Sequence, residues 1–136
     1  MRTKNIFMLV LVLASILSSC QSPKVTAEPP GCTLEKYKRN AQTVMDRYSD
    51  VVNDLELRDA DSRATARRTL LILQDRAENL ICKEDYPLKQ ETLEFSISHL
   101  LDALDYMDQG DYQSANESIN KALLNVEQFN NWSVDI

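Results

Sequence analysis

The chain has 136 residues, 43% of them hydrophobic and 26% charged, with a formal charge of −6 and a pI near 4.7. That length is one ordinary domain at most, and two glycines with four prolines leave too little turn chemistry for a multi-stranded β protein. The acidic balance excludes a phosphate-binding face of clustered Lys and Arg, so nucleic acid is not an expected partner, and it disfavours adsorption to anionic lipid through a basic surface.

The first segment, residues 1–19, has Arg2 and Lys4 as its only charges, ahead of a continuous apolar stretch from Ile6 to Leu17. A short basic start, a brief apolar run and small residues at the end form an export signal. The run is roughly 12 residues where a spanning helix needs about 20, so a permanent transmembrane helix is the weaker reading. Removing this stretch leaves 13 basic residues against all 21 acidic ones, a charge of −8.

The stretch closes on Leu17-Ser18-Ser19-Cys20, which resembles the lipobox of bacterial lipoproteins. That resemblance implies cleavage before Cys20 and acylation of its thiol, making Cys20 a lipid-anchored N-terminus in the bilayer. The alternative is a plain secretory signal cut nearby, with Cys20 an ordinary thiol. Gln21 follows the cysteine; similar lipoproteins of enteric-type bacteria stay at the inner membrane mainly when Asp stands there, so the resemblance favours the outer membrane, facing the periplasm. Residues 20–31 then hold the lipidated cysteine and a tether with three prolines and no apolar period, expected to be disordered and partly extended. Its eleven residues after Cys20 would reach about 35 Å when stretched.

Residues 32–136 carry four amphipathic stripes. The first is Leu34, Tyr37, Ala41, Val44, Tyr48, Val51 and Leu55, in steps of three and four behind the good N-cap Thr33, giving a helix over about 34–57. The second is Ala66, Leu70, Leu73, Ala77 and Leu80, over about 62–84, with Asp61 or Ser62 as its cap. It is not the first stripe prolonged, since sevens counted from Leu55 land on Ser62, Thr69 and Arg76. A third helix, about 87–109, begins at Pro87, carries Leu93, Ile97, Leu100, Leu104 and Met107, and stops at Gly110. The fourth, about 111–130, reads Tyr112, Ala115, Ile119, Ala122, Val126 and Phe129. Short connections make an all-α antiparallel four-helix bundle, two αα-hairpins, the economical solution. The last hairpin, at Gly110, Tyr112, Ala115, Ile119 and Ala122, resembles the central turn and second helix of a tetratricopeptide repeat; no second copy is visible, and such arrays need about three.

With Cys20 lipidated, Cys32 and Cys82 remain, at what would be the same end of the first hairpin. An exported compartment permits a disulfide, although by heptad phase Cys82 points away from its seam, so the bond requires an irregular helix end. The alternative is two free, partly buried thiols. Metal binding by two cysteines without a nearby histidine is improbable. The only histidine, His99, lies off the apolar seam with Asp102 at i+3, and an exposed, solvated side chain is the expected reading over a catalytic one. Glu-x-x-His pairs of di-metal bundles are absent. Asp105, Asp108 and Asp111 surround Gly110, but an EF-hand placed there would put Met107, Gln109 and Asn116 where calcium needs oxygens. These acids read as a solvated helix end, and neither metal nor cofactor is expected.

One row is left over. Leu88, Phe95, His99 and Tyr106 line up with Thr92 and Asp102 away from the third seam. Exposed aromatic rows mark interaction surfaces; alternatively the bundle is irregular, or residues 125–136 fold back and cover the row with Trp132. The expected function is non-catalytic: a membrane-tethered helical module binding an envelope protein. Small lipoproteins called pilotins combine a lipobox, a tether and a helical bundle, sometimes with a disulfide, and escort secretin subunits to the outer membrane; the resemblance is to that overall plan alone. The competing reading is an immunity or exclusion lipoprotein that neutralises a toxin or blocks phage or plasmid entry, for which an acidic surface would suit a basic toxin.

Overall fold

A computed structural model describes residues 31–133. The signal, Cys20 and the tether up to residue 30 lie outside the described residues, as do Val134, Asp135 and Ile136. Helix α1 spans Leu34–Asp54, α2 Ala60–Glu78, α3 Pro87–Gln109 and α4 Tyr112–Asn130, with a single 3₁₀ turn at Lys83–Asp85. The described residues are all-α, a four-helix bundle without strands.

Thr33 caps α1 as its sequence position implies, its Oγ1 accepting from the Lys36 N–H at 3.2 Å. Tyr37, Ala41, Val44 and Tyr48 are buried as the stripe requires, and Met45 widens it. The helix stops at Asp54 rather than 57 because Leu55 turns extended, which lets Leu55 and Leu57 pack on the core from an irregular connection. The cap of α2 is Asp59, not Asp61 or Ser62: its carboxylate accepts from the Asp61 and Ser62 N–H groups, while Ser62 Oγ accepts from the Glu56 N–H at 2.9 Å.

The end of α2 departs furthest from expectation. It closes at Glu78, not 84, where the Asn79 side chain donates to the Asp75 carbonyl at 2.7 Å and so satisfies a terminal acceptor. Beyond it Cys82 adopts a left-handed φ of 71° and becomes buried, instead of pointing outward from a continuing helix. That reversal joins Cys82 to Cys32 in a disulfide with Cα atoms 5.3 Å apart, across a sequence separation of 50.

α3 is the element that touches all the others, and its tightest partner is α4. Their hairpin turns at Gly110, φ +77°, with Gly110 N–H to Met107 O and Asp111 N–H to Tyr106 O, the paired bonds of a left-handed helix stop. Asp111 then caps α4 by accepting from Ser114, and that bonding holds its carboxyl below the usual range. Small buried residues, Ser96 and Ala103 on α3 with Ala115, Ser118 and Ala122 on α4, let the two backbones close. Tyr112, expected in the fourth stripe, is instead 67% exposed. It is the first residue of α4, at the corner of the bundle, across a cleft from Leu57 and Arg58 that no helix fills.

Buried polar groups tie the helices together at one end. Tyr37 Oη donates to Gln90 Oε1 at 3.1 Å, and Gln90 Nε2 donates onward to the Ala77 carbonyl at 2.7 Å and to Glu94 Oε1 at 2.6 Å. Burial, then the charge of Glu94, pushes the Tyr37 phenol upward, and burial does the same to Tyr48, so both remain neutral. The Lys89 ammonium donates to the carbonyls of Gln128 and Asn131, both at 2.6 Å, a cation placed on the C-terminal end of α4. At the opposite end, Arg63 Nε meets Asp108 at 2.7 Å, and Arg67 bonds Asp105 and Asp108. Asp105 and Asp108 are thus not a freely solvated helix end: they face arginines from α2. The hydrogen bond from Arg63, followed by the charges of Arg63 and Arg67, holds the Asp108 carboxyl below its usual range.

Candidate partner-binding surface

The core of α3 consumes Leu93, Ile97, Leu100, Ala103 and Leu104, together with Lys89, Gln90 and Ser96. Positions 88, 92, 95 and 99 run along a flank of the same helix, three or four residues apart, outside its buried seam. Leu88 is 60% exposed and Phe95 45%. With Thr92 they form one wall of a groove of about 410 Å³ whose other wall is Asn125 and Gln128 of α4, with Lys89 and Glu91 also lining it. The small-residue contacts that draw α3 and α4 together set the spacing of these walls.

His99 is half-buried rather than fully solvated, its ring 5.8 Å from that of Phe95 and tilted by 42°. Its Nδ1 lies 3.7 Å from Asp102 Oδ2, too far for a hydrogen bond. The row therefore splits. Leu88, Phe95 and, through its ring contact, His99 are brought together, whereas Tyr106 is half-buried nearer the hairpin turn and does not line the groove.

Trp132 does not sit on this row. Its ring meets Tyr37 at 6.2 Å and Phe129 at 5.3 Å, between the ammonium groups of Lys38 and Lys89 at 5.0 and 5.3 Å. Tyr37 stacks in turn on Tyr86 at 4.9 Å. The tryptophan thus closes the end of the bundle beside the disulfide, and the Leu88–Phe95 wall keeps its exposure.

Two of the polar groups of the groove are engaged within their own helices. Thr92 Oγ1 donates to its own helix at Lys89 O, and Asn125 Nδ2 to Lys121 O, so neither competes strongly for a ligand. The Gln128 amide and the Glu91 carboxylate stand at the rim of two exposed apolar side chains. For metal chemistry, the described residues bring together Cys32, Cys82 and Asp85 within 4.8 Å, but both sulfurs are spent in the disulfide and offer no thiolate. No helix among the described residues is long and apolar enough to cross a membrane.

Lys89 and Gln90 were the structural residues to be found in the sequence. Each falls in the phase of the seam, Lys89 four before Leu93 and Gln90 seven before Ile97, and a charged or amide side chain there signals a buried polar contact. No family model, no curated protein and no solved structure matches the chain.

Proposed function

We propose that this chain is a non-catalytic envelope lipoprotein, anchored through acylated Cys20 at the outer membrane and facing the periplasm. Its helical module would bind an envelope protein, or an exposed segment of one, in the manner of a pilotin-like adaptor or assembly factor. The observation that carries this reading is the Leu88–Phe95 groove: two large apolar side chains left exposed on a surface whose other demands, core and caps, are already met. Leu88, in the first turn of α3, follows Cys82 by six residues, so the groove starts on the turn of helix nearest the disulfide in sequence. His99 supports the Phe95 ring, and Tyr106 would extend the proposed face toward the hairpin turn, beyond the groove itself.

A photo-crosslinking residue placed at Phe95 tests it in cells. A discrete crosslinked envelope protein, absent when the same group replaces the exposed Asp46 on α1, is the expected result; the same bands from both positions would defeat the reading. The immunity or exclusion reading is favoured by a different observation, the Asp54, Glu56 and Asp61 carboxylates between α1 and α2, which make no ion pair among the described residues, and it would gain if expression protected cells against one basic toxin.

A further inference from the structure

We propose that the groove between the last turns of α1 and the first turns of α2 is a separate docking surface, for a helical segment of a partner protein with Lys or Arg on either side of an apolar residue. This surface lies on other helices than the α3–α4 groove and does not depend on it. Val51, Leu55 and Ala66 give an apolar floor to a groove of about 450 Å³, a size typical of binding clefts. Around them stand Asp50, Asp54, Glu56, Asp59 and Asp61, with Arg47 as the one basic lining residue. Arg47 is already engaged by Asp50 at 3.3 Å.

Of the other cations of α2, Arg68 donates to Thr65 Oγ1 at the edge of the groove at 3.1 Å and makes no ion pair among the described residues, while Arg63 and Arg67 are turned elsewhere. Arg63 and Arg67 follow Ser62 and Ala66 of the groove by one residue, yet both reach across to α3 and neutralise Asp105 and Asp108. The acids at the end of α3 are thereby compensated; around this groove Asp50 is paired with Arg47 and Asp59 caps α2, while Asp54, Glu56 and Asp61 make no ion pair among the described residues. Like charges held together are destabilising unless something compensates them, and a cationic partner is what this arrangement complements.

Geometry separates a macromolecular partner from a metal ion. The only acid or thiol trio of the described residues whose ligand atoms lie within 4.8 Å of one another is at the disulfide, so these five carboxylates are spread along the groove rather than converging on a point. A row of cations on a helix matches such spacing; one calcium ion does not. The groove is also held in shape before binding. Ser62 Oγ accepts from the Glu56 N–H, Asp59 caps α2, and Arg63 Nη1 donates to the Leu57 carbonyl at 2.7 Å, fixing the irregular link that forms one end.

The test is fluorescence anisotropy of the full mature protein with a labelled helical peptide bearing Lys at i, i+4 beside a row of Leu, against a scrambled peptide of equal composition. Two triple variants remove equal charge: Asp54→Asn/Glu56→Gln/Asp61→Asn at the rim, and Glu35→Gln/Glu84→Gln/Glu127→Gln elsewhere. The rim variant should weaken the amphipathic peptide about tenfold, the other less than twofold, and the scrambled peptide should bind about tenfold more weakly than the amphipathic one. Thr65→Arg, at an exposed position lining the groove, should abolish the preference without altering the circular-dichroism melt. Equal losses from both triples, equal binding of both peptides, no binding at low salt, or stoichiometric calcium binding that the rim triple removes would each overturn the proposal.

Discussion

Phe95→Ala separates a binding face from a core position because the two roles predict different ratios of lost capture to lost stability. Truncating a fully buried Phe costs about 3–5 kcal/mol. Phe95 is 45% exposed, so roughly half of that applies, and the better helix propensity of Ala offsets about 0.5 kcal/mol. Folding should lose about 1.5 kcal/mol, a fall in Tm of roughly 6–12 °C for a domain of this size. Phe129, wholly buried against the core, gives the reference: Phe129→Ala should cost about 3 kcal/mol or more. If Phe95 anchors a partner, its removal should also weaken capture by about 2 kcal/mol or more, near thirtyfold in affinity. Against an ordinary stability of about 5–15 kcal/mol, a loss of 1.5 kcal/mol leaves nearly all molecules folded at room temperature, so weakened capture there cannot follow from unfolding. The assay is a melt by circular dichroism beside titration of the protein crosslinked at Phe95. Unchanged affinity with a lowered Tm would refute the binding role; a fall in Tm as large as that of Phe129→Ala would show the ring to be core.

Four further outcomes follow from the same structure. Cys20→Ala should abolish incorporation of labelled palmitate and leave an uncleaved or mislocalised precursor, and equal labelling of wild type and variant would remove the anchor. Reduction, or Cys82→Ser, should lower stability by about 4 kcal/mol in the chain-entropy model for a 50-residue loop, and peptide mapping of the mature protein should recover Cys32 and Cys82 as one linked pair. Lys89→Met keeps the length of the side chain but strips the donor from the Gln128 and Asn131 carbonyls, at a cost of about 1–3 kcal/mol; hydrogen exchange should accelerate first in the last turn of α4, and uniform acceleration would argue against a local cap. The Asp108 carboxyl is held below its ordinary value of 3.8, so its contribution is complete above that pH and fades as pH falls through the lower folded value; melts from pH 6 to pH 2 should lose less stability below pH 4 in Asp108→Asn, and equal slopes would show that the arginines do not act through it.

The parts of this fold that were legible are those announced by a local signal. α3 was readable to the residue because Pro87 opens it and Gly110 closes it, each for a steric reason that acts on its own neighbours. α2 carries no such mark at its end: Asn79 stops it with a side-chain hydrogen bond, and Cys82 takes a left-handed conformation that glycine would have advertised. The disulfide was nevertheless readable as a pairing, since it needs two ends of a hairpin to be neighbours and not an account of how the chain turns there. Phase along α3 likewise identified Leu88, Phe95, His99 and Tyr106 as lying on one flank, because a helix fixes direction around its axis. It could not say how far packing would cover that flank, where Tyr106 is half-buried and Leu88 is not. The same distinction governs the charges. Asp105 and Asp108 find Arg67 and Arg63 only when α2 and α3 are laid side by side in one particular register, 38 to 45 residues apart in sequence. Neutralisation across helices is a property of packing, and the acids around Val51 and Leu55 became distinctive only once packing had assigned those arginines to the other side of α2.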